Sequence, residues 1–173
     1  ERALTEARLI GDPVLTSTRT GVACGSSYGS TEPARDFLKF LETGKAGTLN
    51  ATSYVRMMNH TAPVNIGVFF QLRGRVLTTS SACTSGSQGI GYAFEAIKHG
   101  YADVMVAGGA EELCPSMAAV FDTLYATSTR NDDPTTASRP FDASRDGLVI
   151  GEGSAILILE EYEHARARGA NII

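Results

Sequence analysis

Thr78-Thr-Ser-Ser-Ala-Cys-Thr-Ser-Gly-Ser-Gln-Gly-Ile-Gly91 is the stretch from which the rest of this 173-residue chain can be read. The apolar, β-branched run Arg75-Val-Leu-Thr-Thr79 leads into it. Apolar residues at Ile90, Ala93, Phe94 and Ile97 lead out of it with i, i+3, i+4, i+7 spacing. Cys83 therefore falls where a strand hands over to a helix, among neighbours too small to cover it. At such a junction the first-turn N–H groups lack carbonyl partners, and the positive end of the helix dipole favours an anion. Those conditions favour the thiolate, which is the nucleophilic form of cysteine. The same N–H groups can hold a carbonyl oxygen that becomes negative during acyl transfer.

A cysteine among small residues is ordinarily inert packing. Cys83 stands apart because of the helix beside it. Ser85, Gly86, Ser87, Gly89 and Gly91 are poor helix formers, each glycine costing about 1 kcal/mol relative to alanine. A helix that opens on three glycines needs tight packing or a close backbone approach to hold it. Cys83 is accordingly the nucleophile candidate.

Working outward, Gly100 ends that helix and Asp103-Val-Met-Val-Ala-Gly108 is a nearly continuous apolar strand. Strand, helix and strand predict a right-handed crossover within a parallel sheet covered on both faces. Gly21-Val-Ala-Cys24 and Ser154-Ala-Ile-Leu-Ile-Leu159 read as further buried strands, and a last strand is expected from Ala170. Helices are expected over 1–9, over 34–42 after Thr31-Glu-Pro33, over 63–72, over 116–125 and over 162–168. Residues 45–50 read as loop, the stretch on to Met58 as helical or irregular, and residues 131–145 as a long polar loop. Residues 1–173 read as one segment without repeats. Because residues 1–9 read as the middle of a helix and 170–173 as a strand just begun, the chain reads as a piece of a longer one.

Composition narrows the function. Hydrophobic residues make up 43% and charged residues 20%, as in ordinary soluble domains. The net charge of −4, with acids and bases interspersed, points to neither a nucleic-acid nor a membrane partner. No apolar run approaches the roughly 20 residues of a membrane span, and no signal peptide opens the chain. Cys24, Cys83 and Cys114 are odd in number and unpatterned, which fits reduced thiols in the cytoplasm and no metal site. The sequons at Asn50 and Asn59 read as chance.

The glycines of Gly86-Ser-Gln-Gly-Ile-Gly91 are spaced wrongly for a dinucleotide fingerprint, and no phosphate loop is present. A Cys-His hydrolase lacks its base. His99 lies at the far end of the helix beside Cys83, where it suits the helix C-terminus. His164 lies in a charged terminal helix, which leaves only His60.

Three motifs in order carry a family resemblance: Ser80-Ser-Ala-Cys-Thr-Ser-Gly86, Ala107-Gly-Gly-Ala-Glu-Glu-Leu-Cys114 and Ser138-Arg-Pro-Phe-Asp-Ala-Ser-Arg-Asp-Gly-Leu-Val-Ile-Gly-Glu-Gly153. Together they resemble the β-ketoacyl-[acyl-carrier-protein] synthases of the ketosynthase I/II kind, with Glu-Glu-Leu-Cys and Phe121-Asp nearest ketosynthase I. Leu148 departs from the Phe common in the family, read as a packing change. The resemblance implies a thiolase-like α/β fold, layered α-β-α-β-α, of which this chain is most of the first half.

It further implies that Cys83 takes an acyl group from acyl carrier protein as a thioester, with its own backbone N–H in the oxyanion hole. Malonyl-carrier protein would then be decarboxylated, and the carbanion would attack the thioester. The decarboxylating histidines and lysine, and the second oxyanion amide, belong to the other half of such enzymes, so this segment alone should not complete a condensation. Tyr28 corresponds to a gate residue of the acyl pocket, and Met117 and Phe121 to pocket-lining residues. A homodimer is implied, with the strand before Cys83 at its interface, and no cofactor. Lys39, Lys45 and Arg56 are weak candidates for docking an acidic carrier protein. The alternatives are a polyketide ketosynthase, a thiolase-type enzyme using coenzyme A and a non-condensing chain-length partner subunit. Such partner subunits lose the cysteine that this chain keeps.

Overall fold

The computed structural model describes residues 1–47 and 49–173. The expected loop over 45–50 includes position 48, which lies outside the described residues. Two compact units form, one from residues 1–111 with 154–173 and one from residues 112–153. In chain order the helices are α1 (Arg2–Glu6), α2 (Ala34–Thr43), α3 (Ala51–Met57), α4 (Thr61–Phe69), α5 (Ser85–Lys98), α6 (Pro115–Thr123) and α7 (Tyr162–Ala167). The strands are β1 (Thr20–Gly25), β2 (Val76–Thr79), β3 (Val104–Glu111) and β4 (Gly153–Glu160).

Among the described residues the strands form one sheet in the order β2-β1-β3-β4. β1 is buried along its whole length, as a central strand covered on both faces must be. It pairs in parallel with β2 (Val22 opposite Val76) and with β3 (Thr20 opposite Val104). Its side chains alternate between two cores. Val22 and Cys24, with Val104 and Val106, pack under Leu4, Leu9 and Leu15. Ala23, with Met105 and Ala107, packs under Ala93, Ala96 and Ala102. The alanines on the second face let α5 approach the sheet closely.

β2, α5 and β3 do run strand, helix, strand, but the two strands are not neighbours, because β1 lies between them. At the N-terminal edge of the sheet, the Arg19 guanidinium donates to both Asp103 carboxylate oxygens (3.0 and 2.6 Å) and to the Gly100 carbonyl (2.7 Å). Near the end of β4, Arg168 donates to both Glu160 oxygens (2.7 and 2.5 Å) and to the Ala7 carbonyl, and His164 Nδ1 lies 2.6 Å from Glu160.

Three expected elements differ. β4, expected as a buried strand, is exposed or half-buried along its whole length. The opening helix stops at Glu6, and Arg8 turns left-handed (φ 56°) to close it. The strand expected from Ala170 is absent among the described residues. Ala170 donates its N–H back to Ala165 at 2.9 Å, and Asn171–Ile173 are exposed.

In the unit 112–153, Cys114 caps α6 by accepting the Met117 N–H at 3.4 Å. The long loop is tied to Asp146, whose carboxylate accepts from Ser128 Oγ (2.9 Å), the Thr129 N–H (3.1 Å) and Arg130 Nε (3.3 Å).

Candidate active site

Because β1, β2 and β3 run parallel, their C-terminal ends lie along one edge of the sheet, where open α/β sheets place their ligand crevices. Gly25, Thr79 and Glu111 end the three strands there. Cys83 follows Thr79 by four residues. It is exposed, whereas Cys24 and Cys114 are buried. Burial pushes the Cys24 thiol up, which marks it as packing.

The turn that presents Cys83 is tightly specified. Ala82 takes a left-handed backbone (φ 54°), a conformation that costs a residue with a Cβ about 1–2 kcal/mol. The buried Ser85 hydroxyl accepts the Ser81 N–H at 2.8 Å and donates to the Ala82 carbonyl at 2.6 Å. That carbonyl also accepts the Ser85 N–H at 3.0 Å. Thr79 Oγ1 donates to the Ser85 carbonyl at 2.8 Å. Thr84, at the N-cap position of α5, makes no side-chain cap bond. Its hydroxyl donates instead to the Ser81 carbonyl at 2.9 Å. The first turn of this 14-residue helix is thus left without a side-chain cap, beside an exposed thiol.

Two of the three glycines that looked out of place in α5, Gly86 and Gly89, are contact points. A Cβ on Gly25 would sit 2.2 Å from the Ser85 backbone, one on Gly109 2.9 Å from Gly86 Cα, and one on Gly89 3.0 Å from the Ala23 carbonyl oxygen. Gly91 has open space around it and fills no such role.

Tyr28 lies in the loop after β1 and is 40% exposed. The structure brings this loop to the Cys83 turn. The Ser26 N–H donates to the Thr79 carbonyl (3.2 Å) and Ser80 Oγ to the Ser27 carbonyl (3.5 Å). Glu111 holds the loop from below, accepting from Ser26 Oγ (3.2 Å) and the Ser27 N–H (2.8 Å). The Ser26 hydroxyl also donates to the Tyr28 carbonyl. The Gly29 and Ser30 N–H groups donate to Met57 and Arg56 carbonyls at 3.2 and 2.7 Å.

Met117 and Phe121 belong to the other unit, four residues apart on one side of α6 and both half-buried. His60 and His99 are exposed, the latter at the C-cap of α5 as expected, and His164 is engaged with Glu160.

Ser85 and Glu111 were not singled out from sequence. Ser85 stood within a quoted motif, but a serine in a helix's first turn looks like any other. Glu111 acts on residues more than 80 positions away. Among the described residues, no group of three His, Cys, Asp or Glu side chains could hold a metal ion, and no helix is long and apolar enough to cross a membrane.

Residues 1–165 match the family model described as the N-terminal domain of β-ketoacyl synthase. A 3-oxoacyl-[acyl-carrier-protein] synthase 2 of Vibrio cholerae is 43% identical over 165 residues, which is 90% of this chain and 38% of that protein. The crystal structure of a β-ketoacyl synthase from Burkholderia phymatum superposes with a TM-score of 0.93 at 58% identity, over 99% of this chain and 43% of that one. A type II polyketide ketosynthase in complex with its acyl-carrier protein (AntDE:AntF) superposes with a TM-score of 0.81 at 33% identity, over 98% of this chain and 43% of that one. The chain therefore spans about two fifths of the length of these relatives.

Proposed function

This chain belongs to the β-ketoacyl synthase family and has its thiolase-like α/β fold, and from that premise we propose that it carries the acyl-accepting half of a decarboxylative condensing enzyme. Cys83 Sγ attacks the carbonyl of an acyl thioester on acyl carrier protein. The tetrahedral oxyanion is held by the Cys83 N–H, the carrier thiol leaves, and the acyl group stays on Cys83 as a new thioester. Malonyl-carrier protein loses carbon dioxide, and the carbanion released attacks that thioester. The Cys83 thiolate leaves, and the product is a β-ketoacyl chain two carbons longer on the carrier protein. Groups outside this chain are needed for the decarboxylation and for the second oxyanion donor.

The observation that carries this reading is the exposed Cys83 on a left-handed turn, beside a long helix whose first turn has no side-chain cap. Cytoplasmic placement and a homodimer belong to the same proposal, the former supported by three cysteines that form no disulfide. Tyr28 is proposed to limit the depth of the acyl pocket and so favour shorter primers, with Met117 and Phe121 lining it. Undiminished extension of long primers would sink the Tyr28 assignment.

Intact mass of the native protein after mixing with acyl-carrier protein tests the core of the proposal. An adduct on wild type that is missing in Cys83→Ala, followed by β-ketoacyl product once malonyl-carrier protein is added, is the expected result. No adduct on wild type overturns it. A second reading, a polyketide ketosynthase, shares this chemistry and is favoured by the likeness to the AntDE:AntF ketosynthase. Repeated extension without keto-group reduction would select it.

A further inference from the structure

We propose that Ser85 is a positioning residue for acyl transfer, acting through the backbone of the turn that carries Cys83; the inference rests on Cys83 being the nucleophile. The Ser85 side chain is nearly fully buried and its hydroxyl is used both ways, accepting from Ser81 N–H (2.8 Å) and donating to the Ala82 carbonyl (2.6 Å). These bonds bracket the left-handed Ala82 and set the plane of the peptide joining Ala82 to Cys83. That peptide supplies the Cys83 N–H. The hydroxyl therefore controls the direction of the oxyanion donor without touching substrate.

Ser85 can do this because its own backbone is held from two further sides. Thr79 Oγ1 donates to its carbonyl at 2.8 Å, and Gly25 packs so closely on that carbonyl that a Cβ would lie 2.2 Å from it. Thr79 ends β2 and Gly25 ends β1, so the clasp refers the turn directly to the sheet. The exposed hydroxyls of Ser81 and Thr84 lie 3.0 Å apart, and that of Thr84 donates to the Ser81 carbonyl rather than to Ala82. They cannot replace Ser85.

The test separates two reactions of one thiol. Alkylation by iodoacetamide needs the thiolate and no oxyanion donor, whereas acyl transfer from an acyl-pantetheine thioester needs both. Both rates are followed by intact mass on the native protein for wild type, Ser85→Ala, Ser85→Thr and Thr79→Val. In Ser85→Ala acyl transfer should fall about tenfold or more, as for a misdirected oxyanion donor, with alkylation changing less than about threefold. Ser85→Thr, which keeps the hydroxyl, should recover most of the acyl transfer. Thr79→Val should show the same split more weakly, and it serves if Ser85→Ala does not fold.

Equal losses in both reactions, no loss in either, or no recovery in Ser85→Thr would overturn the role of Ser85 while leaving Cys83 as nucleophile. A wild-type protein that is alkylated but never acylated would instead overturn the nucleophile reading, and this inference with it.

Discussion

Gly25→Ala is the most demanding test of how the site is built. Gly25 ends β1, and a Cβ there would stand 2.2 Å from both the carbonyl carbon and the carbonyl oxygen of Ser85, and 2.7 Å from the Gly86 nitrogen. Ordinary contact begins near 3.4 Å, so something must yield by more than 1 Å. All three atoms are backbone, so no side chain can swing away. Either the first turn of α5 lifts off the sheet or β1 shifts in its register with β2 and β3. Overpacking that a core can absorb costs about 1–3 kcal/mol. With backbone on both sides the cost should reach or exceed the upper figure, about 3 kcal/mol, which is more than a hundredfold in the folding equilibrium.

The same displacement moves Cys83, and a misplacement of about 1 Å costs roughly 10²-fold in rate. Urea unfolding and the rate of Cys83 acylation, measured on the native protein, should both register the change. Gly91→Ala is the matched control, since it lies in the same helix with nothing within 4 Å of the added carbon. It should gain up to about 1 kcal/mol from helix propensity and leave acylation unchanged. A Gly25→Ala protein within about 0.5 kcal/mol of wild type and acylated at the same rate would refute the close-packed account of the site.

Three further outcomes are expected. The Arg19 guanidinium hydrogen-bonded to Asp103 holds that carboxyl below the usual range, and at Glu160 burial pushes up but the bonds from Arg168 and His164 together prevail and hold it down. Folded values below unfolded ones mean stability that is complete above the unfolded values, about 3.9 for Asp and 4.3 for Glu, and lost as pH falls through and below them. The urea midpoint should therefore be flat from pH 5 to 7 and drop below about pH 4, less steeply in Glu160→Gln; an equal drop in that variant would count against the assignment. Arg168→Met should cost about 3 kcal/mol in urea, because the Glu160 carboxylate, 8% exposed, loses a two-bond partner; a loss under 1 kcal/mol would refute this. Under native conditions iodoacetamide should label Cys83 well before Cys24 or Cys114, which react only after unfolding, and peptide mapping would expose any other order.

The position of Cys83 was legible because the hydrophobic period changes on either side of it, from a β-branched run to helical spacing, and that change marks a strand-to-helix turn wherever it occurs. The glycines of α5 were legible as an anomaly, and the contacts behind two of them are now identified: Gly86 against Gly109 and Gly89 on Ala23, while Gly91 has open space around it. The strand order was not legible. Apolar runs in β1, β2 and β3 mark each as a strand, but do not say that β1 lies between the other two, nor that β2, at the edge, stays mostly exposed. Glu111 was out of reach for a similar reason, since its role is to receive Ser26 and Ser27, and pairing across some 85 residues leaves no local pattern. The last strand failed because Ala170-Asn-Ile-Ile173 has apolar residues that suit a β pattern, while a strand also needs a neighbour to pair with.

The balance of energies at the turn shows why the proposed nucleophile, Cys83, depends on the whole sheet. Left-handed Ala82 costs about 1–2 kcal/mol. The two hydrogen bonds of the Ser85 hydroxyl are each worth about 1 kcal/mol net. Locally the turn is therefore near balance, and Ser80–Ser85 cut loose from the sheet would not keep it. What tips the balance lies outside the motif: the Thr79 bond to the Ser85 carbonyl, and the glycine contacts of α5 with β1 and β3. Cys83 can stand exposed and yet be rigidly aimed, because its own side chain contributes nothing to holding it. It follows that substitutions at the buried Gly25 and Gly89 or the half-buried Gly109, all chemically inert, should damage acyl transfer more than substitutions at the exposed Ser81 or Thr84, which lie beside the thiol in sequence.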